Sequence, residues 1–201
     1  MTSAVASDST SVPHAHHGRL LEGMARAVAA KGYADTTIAD IVREAAVSRR
    51  SFYEHFATKA DCLIALYEAA SAQALAVLSA AVDPAQPWQA QVEDAVTAYL
   101  GVLSQDPVLL RTLFVEVLGL GLPGLAVRRR VNREIAGFIQ LATAGAGGAH
   151  LTQDMAMTVV GGINELILQA IEEDRGDDLR VLVEPATRLI RAVAGAPSVA
   201  P

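Results

Sequence analysis

The sequence predicts an all-α fold, with a three-helix N-terminal head that contains a helix-turn-helix and a larger C-terminal helical bundle. Apolar residues recur every three or four positions along most of the chain, which is the spacing of helices with a buried face. Hydrophobic residues make up 52% of the 201 residues but aromatic residues only 4%, and alanine is abundant. Residues that start and stop helices divide the chain into segments of helical length. Together these features favour helices throughout.

Changes in composition predict the domain organisation. A Ser/Thr/Ala-rich start is typical of a disordered arm. Pro84 and Pro87 bracket a linker, after which the chain becomes richer in Ala, Leu and Val. The predicted parts are an arm at 1–15, a head at 16–67, a bundle at 68–195 and a flexible tail at 196–201.

Three capping signals define the helices of the head. The first helix is predicted from about His17 to Lys31 and ends at Gly32, the residue type that most often follows a helix. Thr37 and the acidic residue three positions later form a partial capping box for a short second helix. Ser48 is the expected N-cap of the third helix, and a long connecting helix follows from Lys59.

The third helix carries the most specific chemistry in the chain. Phe52 and Phe56 are four residues apart and therefore point into the core. The residues before and between the two phenylalanines face largely outward, and their arginines and hydroxyls match the donors that read base edges and phosphates in a DNA groove. These outward residues are Arg49, Arg50, Ser51, Tyr53 and His55.

The charge distribution is compatible with binding to DNA. The whole chain carries a formal charge of −6, but residues 13–67 contain seven basic and six acidic residues, a net +1. Residues 68–201 carry −6. A polyanion responds to the local field more than to the total charge, so the head remains a plausible DNA-binding part.

The C-terminal bundle is divided by its turn and cap residues. Asp106-Pro107 is an N-cap followed by proline at the first helical position, and Thr152 is a further N-cap. Two glycine-rich stretches separate the helices between these caps. The predicted helices are 86–104, 107–118, 125–144, 153–174 and a last one from Asp177 or Asp178 to about 195, with breaks at 119–124 and 145–149.

The last two helices predict a dimer interface. Both carry apolar residues on more than one face, and such a helix is buried on two sides, in its own core and against a partner. Gly161-Gly162 allows another helix to approach closely. The predicted interface residues are Met155, Val159, Gly162, Ile163, Leu166, Leu182, Ala186 and Leu189.

Other chemistry finds little support in the sequence. No nucleophile lies beside a base and no carboxylates are paired by their spacing, so an enzyme is not expected. Cys62 is the only cysteine and reads as a small buried hydrophobic residue. His14, His16 and His17 lack carboxylate or thiol support, so neither a metal nor a cofactor is expected. The most apolar window, 108–127, contains charged residues and proline, which predicts no membrane span and a cytoplasmic protein.

A set of residues with fixed spacing runs through the head: Gly32, Thr37, Ile38, Ala39, Ile41, Ala45, Val47, Ser48, Phe52, Tyr53, His55, Phe56, Lys59 and Leu63. In these residues the head resembles the N-terminal domain of the tetracycline-repressor (TetR) family of bacterial transcription regulators. The resemblance covers about residues 19–67, while the rest of the chain agrees with the family only in helix count, order and length. Ala46 is a departure, because family members very often have glycine there.

The resemblance implies a homodimer that binds a pseudo-palindromic double-stranded DNA operator through two heads. The third helix would enter the major groove, with Arg49, Arg50 and Ser51 nearest base edges. Thr37, Tyr53, His55 and Lys59 would hold phosphates, and Ser48 would cap the helix. A small molecule in the C-terminal core would change the separation of the heads and release the DNA.

The effector expected from the apolar walls of the bundle is a small apolar or amphipathic organic molecule. Side chains with aromatic or polar groups among aliphatic ones are the candidate ligand contacts, although each is equally compatible with ordinary packing. They are Tyr99, Phe114, Glu116, Phe138 and Asn164. A transcriptional activator with the same fold, or a helical protein-interaction module whose DNA motif has decayed, are the alternatives.

Overall fold

The computed structural model describes residues 11–144 and 151–195, with side chains from residue 15 onward. The described residues contain helices and no strand, as the sequence predicts. The α-helices are α1 (Ser11–Asp35), α2 (Ile38–Ala45), α3 (Arg49–His55), α4 (Lys59–Ala80), α5 (Trp88–Leu103), α6 (Pro107–Phe114), α7 (Leu122–Thr143), α8 (Gln153–Glu172) and α9 (Val183–Ala194). Short 3₁₀ helices at Glu116–Leu120 and Leu179–Leu182 precede α7 and α9.

The chain divides into two compact units between Tyr67 and Glu68, a boundary that falls inside α4. The N-terminal unit is built on the apolar face of α1, where all five residues predicted to share that face are buried. They pack with side chains from the following three helices. The buried residues of α1 are Leu20, Leu21, Met24, Ala27 and Val28, and those from α2 to α4 include Ile41, Phe52, Cys62 and Leu63.

Cys62 is fully buried in this core, as predicted. Its Sγ lies 3.8 Å from the carbonyl oxygen of Leu20. Burial, and to a lesser extent the charge of Asp61, raises the pKa of the Cys62 thiol to about 12. The thiol therefore stays protonated and packs as an apolar side chain.

Helix α1 begins earlier than predicted. It starts at Ser11 rather than near His17, so residues 11–15 are helical, whereas 1–10 lie outside the described residues. Pro13 falls in the first turn, where a missing N–H costs nothing. The break expected at Gly32 is present inside the element, with φ 77° and ψ 163°, a conformation that essentially only glycine adopts.

The C-terminal unit is a bundle in which α7 packs against α8, and α5 packs against both α7 and α9. The predicted caps are present. Asp106 accepts from the N–H of Leu109 at 2.9 Å, and Thr152 accepts from the N–H of Met155 at 3.3 Å. The predicted loop at 145–149 and the tail at 196–201 lie outside the described residues.

The segment between α6 and α7 differs from the expected break. Helix α6 ends at Phe114, a 3₁₀ helix follows, and α7 begins at Leu122 rather than near residue 125. Gly124 lies so close to the carbonyl oxygen of Val117 that a Cβ would stand 2.0 Å from it. The glycine therefore serves a tight approach between consecutive helices and lies inside α7.

Helix α4 is long and apolar enough, by length and composition alone, to cross a membrane. Core helices of soluble proteins pass the same test. Its first turns supply Cys62, Leu63, Leu66 and Tyr67 to the buried core of the N-terminal unit. The window 108–127, which the sequence marks as the most apolar, lies outside this helix.

Candidate nucleic-acid interface

The start of α2 is fixed by a complete capping box. The backbone N–H and the hydroxyl of Thr37 both donate to Oδ2 of Asp40, at 2.9 and 2.5 Å. The N–H of Asp40 donates back to Oγ1 of Thr37 at 3.3 Å. The capping box is as predicted, but the Thr37 hydroxyl proton is already used. A phosphate contact by that hydroxyl would have to replace the bond to Asp40.

Asp40 is the electrostatic centre of this corner. Its carboxylate lies 2.5 Å from Nζ of Lys31 and 3.1 Å from a guanidinium nitrogen of Arg43. The hydrogen bond from Lys31, followed by those from Thr37, holds the pKa of Asp40 well below its usual range. The group is therefore ionised at neutral pH, and it joins the C-terminal part of α1 to the start of α2.

The turn between α2 and α3 has a left-handed residue that is not glycine. Ala46 has φ 50° and ψ 47° and closes α2, with its N–H donating to the carbonyl oxygens of Val42 and Arg43. The αL conformation costs an L-residue roughly 1–2 kcal/mol. The departure noted in the sequence is therefore a real local strain, but the helix-turn-helix forms.

Two arginines of α1 stabilise this turn from outside, a role that the sequence analysis missed. Nε of Arg19 donates to the carbonyl oxygen of Ala45 at 3.0 Å, and its terminal nitrogen donates to that of Ala46. Arg26 donates to the carbonyl oxygen of Glu44 at 2.6 Å. Cations at a helix C-terminus offset the exposed carbonyl dipoles. The net charge of +1 for residues 13–67 includes both arginines, but their guanidinium groups bind carbonyl oxygens of the protein itself.

Gly23 allows α1 and α2 to approach closely. A Cβ at this position would lie 2.7 Å from the carbonyl oxygen of Ile41 and 2.8 Å from Cβ of Ala45. Since glycine inside a helix costs about 1 kcal/mol, its presence there indicates a packing reason. A glycine inside a predicted helix is a sign of close packing that can be read from the sequence.

Helix α3 is anchored as predicted. Ser48 accepts from the N–H of Ser51 at 3.0 Å and caps the helix, and the two hydroxyl oxygens are also 3.0 Å apart. Phe52 is fully buried and Phe56 nearly so. The helix is therefore held by its cap and its two aromatic anchors, which leaves the opposite face to solvent.

The exposed face of α3 presents donors that the protein does not use. Arg49 is exposed and makes no hydrogen bond or ion pair among the described residues. Tyr53 is 56% exposed, and its ring lies edge-on to Phe52 with the centroids 5.6 Å apart. Arg50, by contrast, forms an exposed ion pair with Glu54 at 3.0 Å. Arg49 and Tyr53 are thus the groups on this face most available to a ligand.

His55 is half-buried in a cluster of rings. Its ring is 5.7 Å from that of His17 in an edge-to-face arrangement, and 6.3 Å from that of Phe56. His17 also lies 5.3 Å from Phe56. The cluster connects the end of α3 with the beginning of α1, so His55 has a packing role in addition to any contact with phosphate.

Lys59 is placed differently from the expectation that it holds phosphate. Its Nζ donates to the carbonyl oxygens of Tyr33, Ala34 and Thr36 at 3.0, 3.1 and 2.8 Å, and it lies 4.4 Å from the centre of the Tyr33 ring. An ammonium group has three protons, so its donor capacity is filled. Lys59 therefore stabilises the segment between α1 and α2, and phosphate would have to displace protein carbonyls.

The C-terminal unit contains a narrow apolar cavity with a volume of about 40 Å³. Its walls come from α4, α5, α7, α8 and α9. Three of the five candidate ligand contacts line it: Tyr99, Phe138 and Asn164. The Asn164 amide is buried and donates to Oδ1 of Asn132 at 3.3 Å. Phe114 and Glu116, at the end of α6 and in the following 3₁₀ helix, are not part of this lining, and their contact with a ligand stays a prediction.

The predicted dimer residues fall into two groups. Four of them are buried within their own subunit, and Ile163 also lines the apolar cavity. These four side chains pack inside the subunit, so an interface built on them would have to unpack that core, and their place in an interface stays a prediction. The buried four are Val159, Ile163, Leu182 and Ala186, and the accessible ones are Met155, Gly162, Leu166 and Leu189.

Residues 20–66 match the family model described as bacterial regulatory proteins of the tetR family. A curated relative, the uncharacterized HTH-type transcriptional regulator YxbF of Bacillus subtilis (strain 168), is 32% identical over 76 residues. That alignment covers 38% of this chain and 20% of the relative, so the chain spans about a fifth of the curated relative it matches.

Solved structures of regulators share the fold over most of the chain. The fatty acid degradation regulator FadR from Bacillus halodurans has a TM-score of 0.74 at 19% identity and covers 87% of this chain and 93% of its own. FadR from Bacillus subtilis, in complex with stearoyl-CoA, has a TM-score of 0.75 at 16% identity, with 90% and 100% covered. TylP from Streptomyces fradiae has a TM-score of 0.69 at 21% identity and covers 92% of this chain and 88% of its own. At these identities the likeness concerns the fold alone.

Proposed function

We propose that the chain is a cytoplasmic transcriptional repressor of the tetR family that binds a pseudo-palindromic operator as a homodimer, because residues 20–66 match the model of that family. The observation that carries the proposal is the exposed face of α3. Arg49 and Tyr53 offer donors without polar partners among the described residues, on a helix fixed by a cap and two buried phenylalanines. Such a helix is suited to the major groove.

Arg49 is the proposed base-reading residue. A guanidinium that can bind O6 and N7 of guanine with two hydrogen bonds contributes roughly 1–3 kcal/mol of discrimination. Arg50 is a weaker candidate, because it would first have to leave Glu54. The exposed hydroxyl of Tyr53, with those of Ser48 and Ser51 near the helix N-terminus, is proposed to contact phosphates.

The proposed homodimer uses the accessible apolar residues of α8 and α9. Met155 is 40% exposed, and Leu166 and Leu189 are half-buried in the subunit. A Cβ added at Gly161 would meet no atom within 4 Å, which leaves room for a partner helix at that point. Two subunits would then place their two α3 helices on half-sites about one helical turn of DNA apart, roughly 34 Å.

The proposed effector is an amphipathic molecule whose apolar part enters and widens the narrow cavity of the C-terminal unit. The lining is apolar except for groups such as those of Tyr99 and Asn164. Stearoyl-CoA in the B. subtilis FadR complex is an example of that chemistry in a protein of the same fold. Such a ligand releases DNA only to the extent that it binds the released conformation more tightly than the DNA-bound one.

The proposed DNA binding is tested by selecting binding sites from random-sequence DNA with the full chain, then measuring the affinity for the selected site at two salt concentrations. We expect a pseudo-palindromic site bound in the presence of competitor DNA, and loss of that binding in Tyr53→Phe or Tyr53→Ala. Arg129→Ala, which removes an exposed charge on α7, is the control. Selection of no site would favour the helical interaction module, and a site whose occupancy raises transcription would favour an activator.

A further inference from the structure

A second groove, with more polar groups in its lining than the apolar cavity, lies between α5 and α9 in the C-terminal unit. Its volume is about 650 Å³. Glu93 of α5 and Arg180 of the preceding 3₁₀ helix line it together with one side of α9. The α9 residues include Thr187, Arg188 and Arg191. This groove shares none of its lining with the apolar cavity.

Two buried polar atoms at this groove have no hydrogen-bond partner among the described residues. They are the hydroxyl oxygen of Thr187, a residue only 4% exposed, and Nε of Arg191. Buried polar groups in folded proteins are nearly always hydrogen-bonded, and each exception requires a physical reason. Here both atoms belong to residues that line the same groove.

The other polar groups of the groove show which chemistry is missing. The terminal nitrogen of Arg191 donates to the carbonyl oxygen of Gln89 at 2.8 Å and to Oε2 of Glu93 at 2.7 Å. Arg188 is paired with Glu184. Arg180 is exposed and has no ion pair among the described residues. The acidic groups are therefore occupied, while an N–H, an O–H and a guanidinium remain as donors.

We propose that this groove binds an oxyanion group of a small molecule, a phosphate or a carboxylate, through Thr187, Arg191 and Arg180. An ionised acceptor satisfies all three kinds of donor, and charge-assisted hydrogen bonds of this type are the strong ones. Arginine is well suited to such groups because its planar fork matches their oxygens. The guanidinium of Arg191 is already fixed by Gln89 and Glu93, so its Nε is positioned before the ligand arrives.

The groove is independent of the proposed dimer face. Leu189 follows Thr187 by two positions, which is about 200° around the helix, so the two side chains lie on opposite sides of α9. The groove and the apolar cavity lie on different sides of α5 and α9. Val92 and Ile190 line the cavity, whereas their neighbours Glu93 and Arg191 line the groove. An oxyanion bound there would hold α5 and α9 together.

The test is calorimetric titration of the full chain with sodium phosphate, with sodium acetate as the carboxylate arm and sodium chloride at equal ionic strength as the reference. We expect saturable binding of phosphate or acetate beyond that of chloride. Thr187→Val removes only the hydroxyl and should weaken binding about tenfold or more, since a hydrogen bond to a charged group is lost. Arg180→Gln should also weaken binding, whereas Thr187→Ser should retain it.

Arg129→Gln, on the exposed surface of α7, removes the same charge far along the chain from the groove and serves as the matched control. It should bind phosphate and acetate as the wild type does. If the control loses binding as much as Arg180→Gln, the effect is one of net charge and the site is excluded. No saturable binding by the wild type, or equal binding by Thr187→Val, would also overturn the proposal.

Discussion

At the residue scale, Arg49 and Arg50 are neighbours in sequence but differ in what they can offer DNA. Arg49 makes no ion pair among the described residues, whereas Arg50 is joined to Glu54 four positions later. A solvated i,i+4 ion pair contributes only a few tenths of a kcal/mol to stability, so Arg50 prefers Glu54 but can leave it for a DNA contact. Arg49 is therefore the better candidate for a base contact, a difference between the two arginines that the sequence does not show.

We predict that Arg49→Ala weakens binding to the selected operator by roughly 1–3 kcal/mol while changing non-specific binding much less, because a base contact is lost. Competition titrations with operator and random DNA measure the ratio. Arg129→Ala serves again as the control. An unchanged preference for the operator would mean that Arg49 does not read a base.

Lys59 leads to a prediction opposite to the one that its position in the motif suggests. Because its three protons bind carbonyl oxygens between α1 and α2, Lys59→Met should lower the stability of the N-terminal unit by roughly 1–3 kcal/mol. The salt dependence of DNA binding should remain nearly the same. Hydrogen exchange of the full chain measures the first effect and affinity against salt the second. A salt slope reduced by about one would restore the phosphate role.

At the scale of the element, the turn between α2 and α3 is under strain that one substitution can release. Ala46→Gly removes the αL cost of roughly 1–2 kcal/mol, offset by roughly 0.4–1 kcal/mol of added freedom in the unfolded chain. We expect a net gain of about 0.5–1 kcal/mol in local stability, seen as slower exchange of α2 and α3 amides. Faster exchange would mean that the alanine is not strained.

The start of α2 should depend on pH through Asp40. Its pKa is lowered in the folded chain by Lys31 and Thr37, so its contribution to stability is complete above the unfolded value of about 3.9 and is lost as pH falls below it. The stability difference between the wild type and Asp40→Asn should therefore be largest at neutral pH and shrink near pH 3.5. Urea unfolding at both pH values checks this. A constant difference would contradict it.

At the scale of the whole molecule, the interface proposed on α8 and α9 depends on a few accessible residues. Leu166→Arg should produce monomers and greatly weaken operator binding, because a charge would be placed in an apolar interface. Leu141→Arg on α7, where the side chain is 80% exposed, should leave the dimer intact. Analytical ultracentrifugation distinguishes the two. If only Leu141→Arg dissociates the dimer, the interface lies on α7 and not on α8 and α9.

Features that depend on residues a few positions apart can be predicted from the amino-acid sequence. The helical class, the caps at Thr37, Ser48, Asp106 and Thr152, and the inward aromatic pair of α3 all follow from local spacing, because a cap or a helix face involves residues within about four positions. The motif that identifies the N-terminal unit is of the same local kind.

Contacts between residues far apart in the sequence are visible in the folded structure and not in the sequence. The structure showed that Lys59 binds carbonyls 23 to 26 positions away, that Arg19 caps α2, and that Val159 is buried within its own subunit. It also brought Thr187 and Arg191 to one groove with Glu93. The packing of the helices determines these partners. A side chain that could bind several groups binds those that the fold brings within hydrogen-bond distance, and spacing along the sequence does not show which these are.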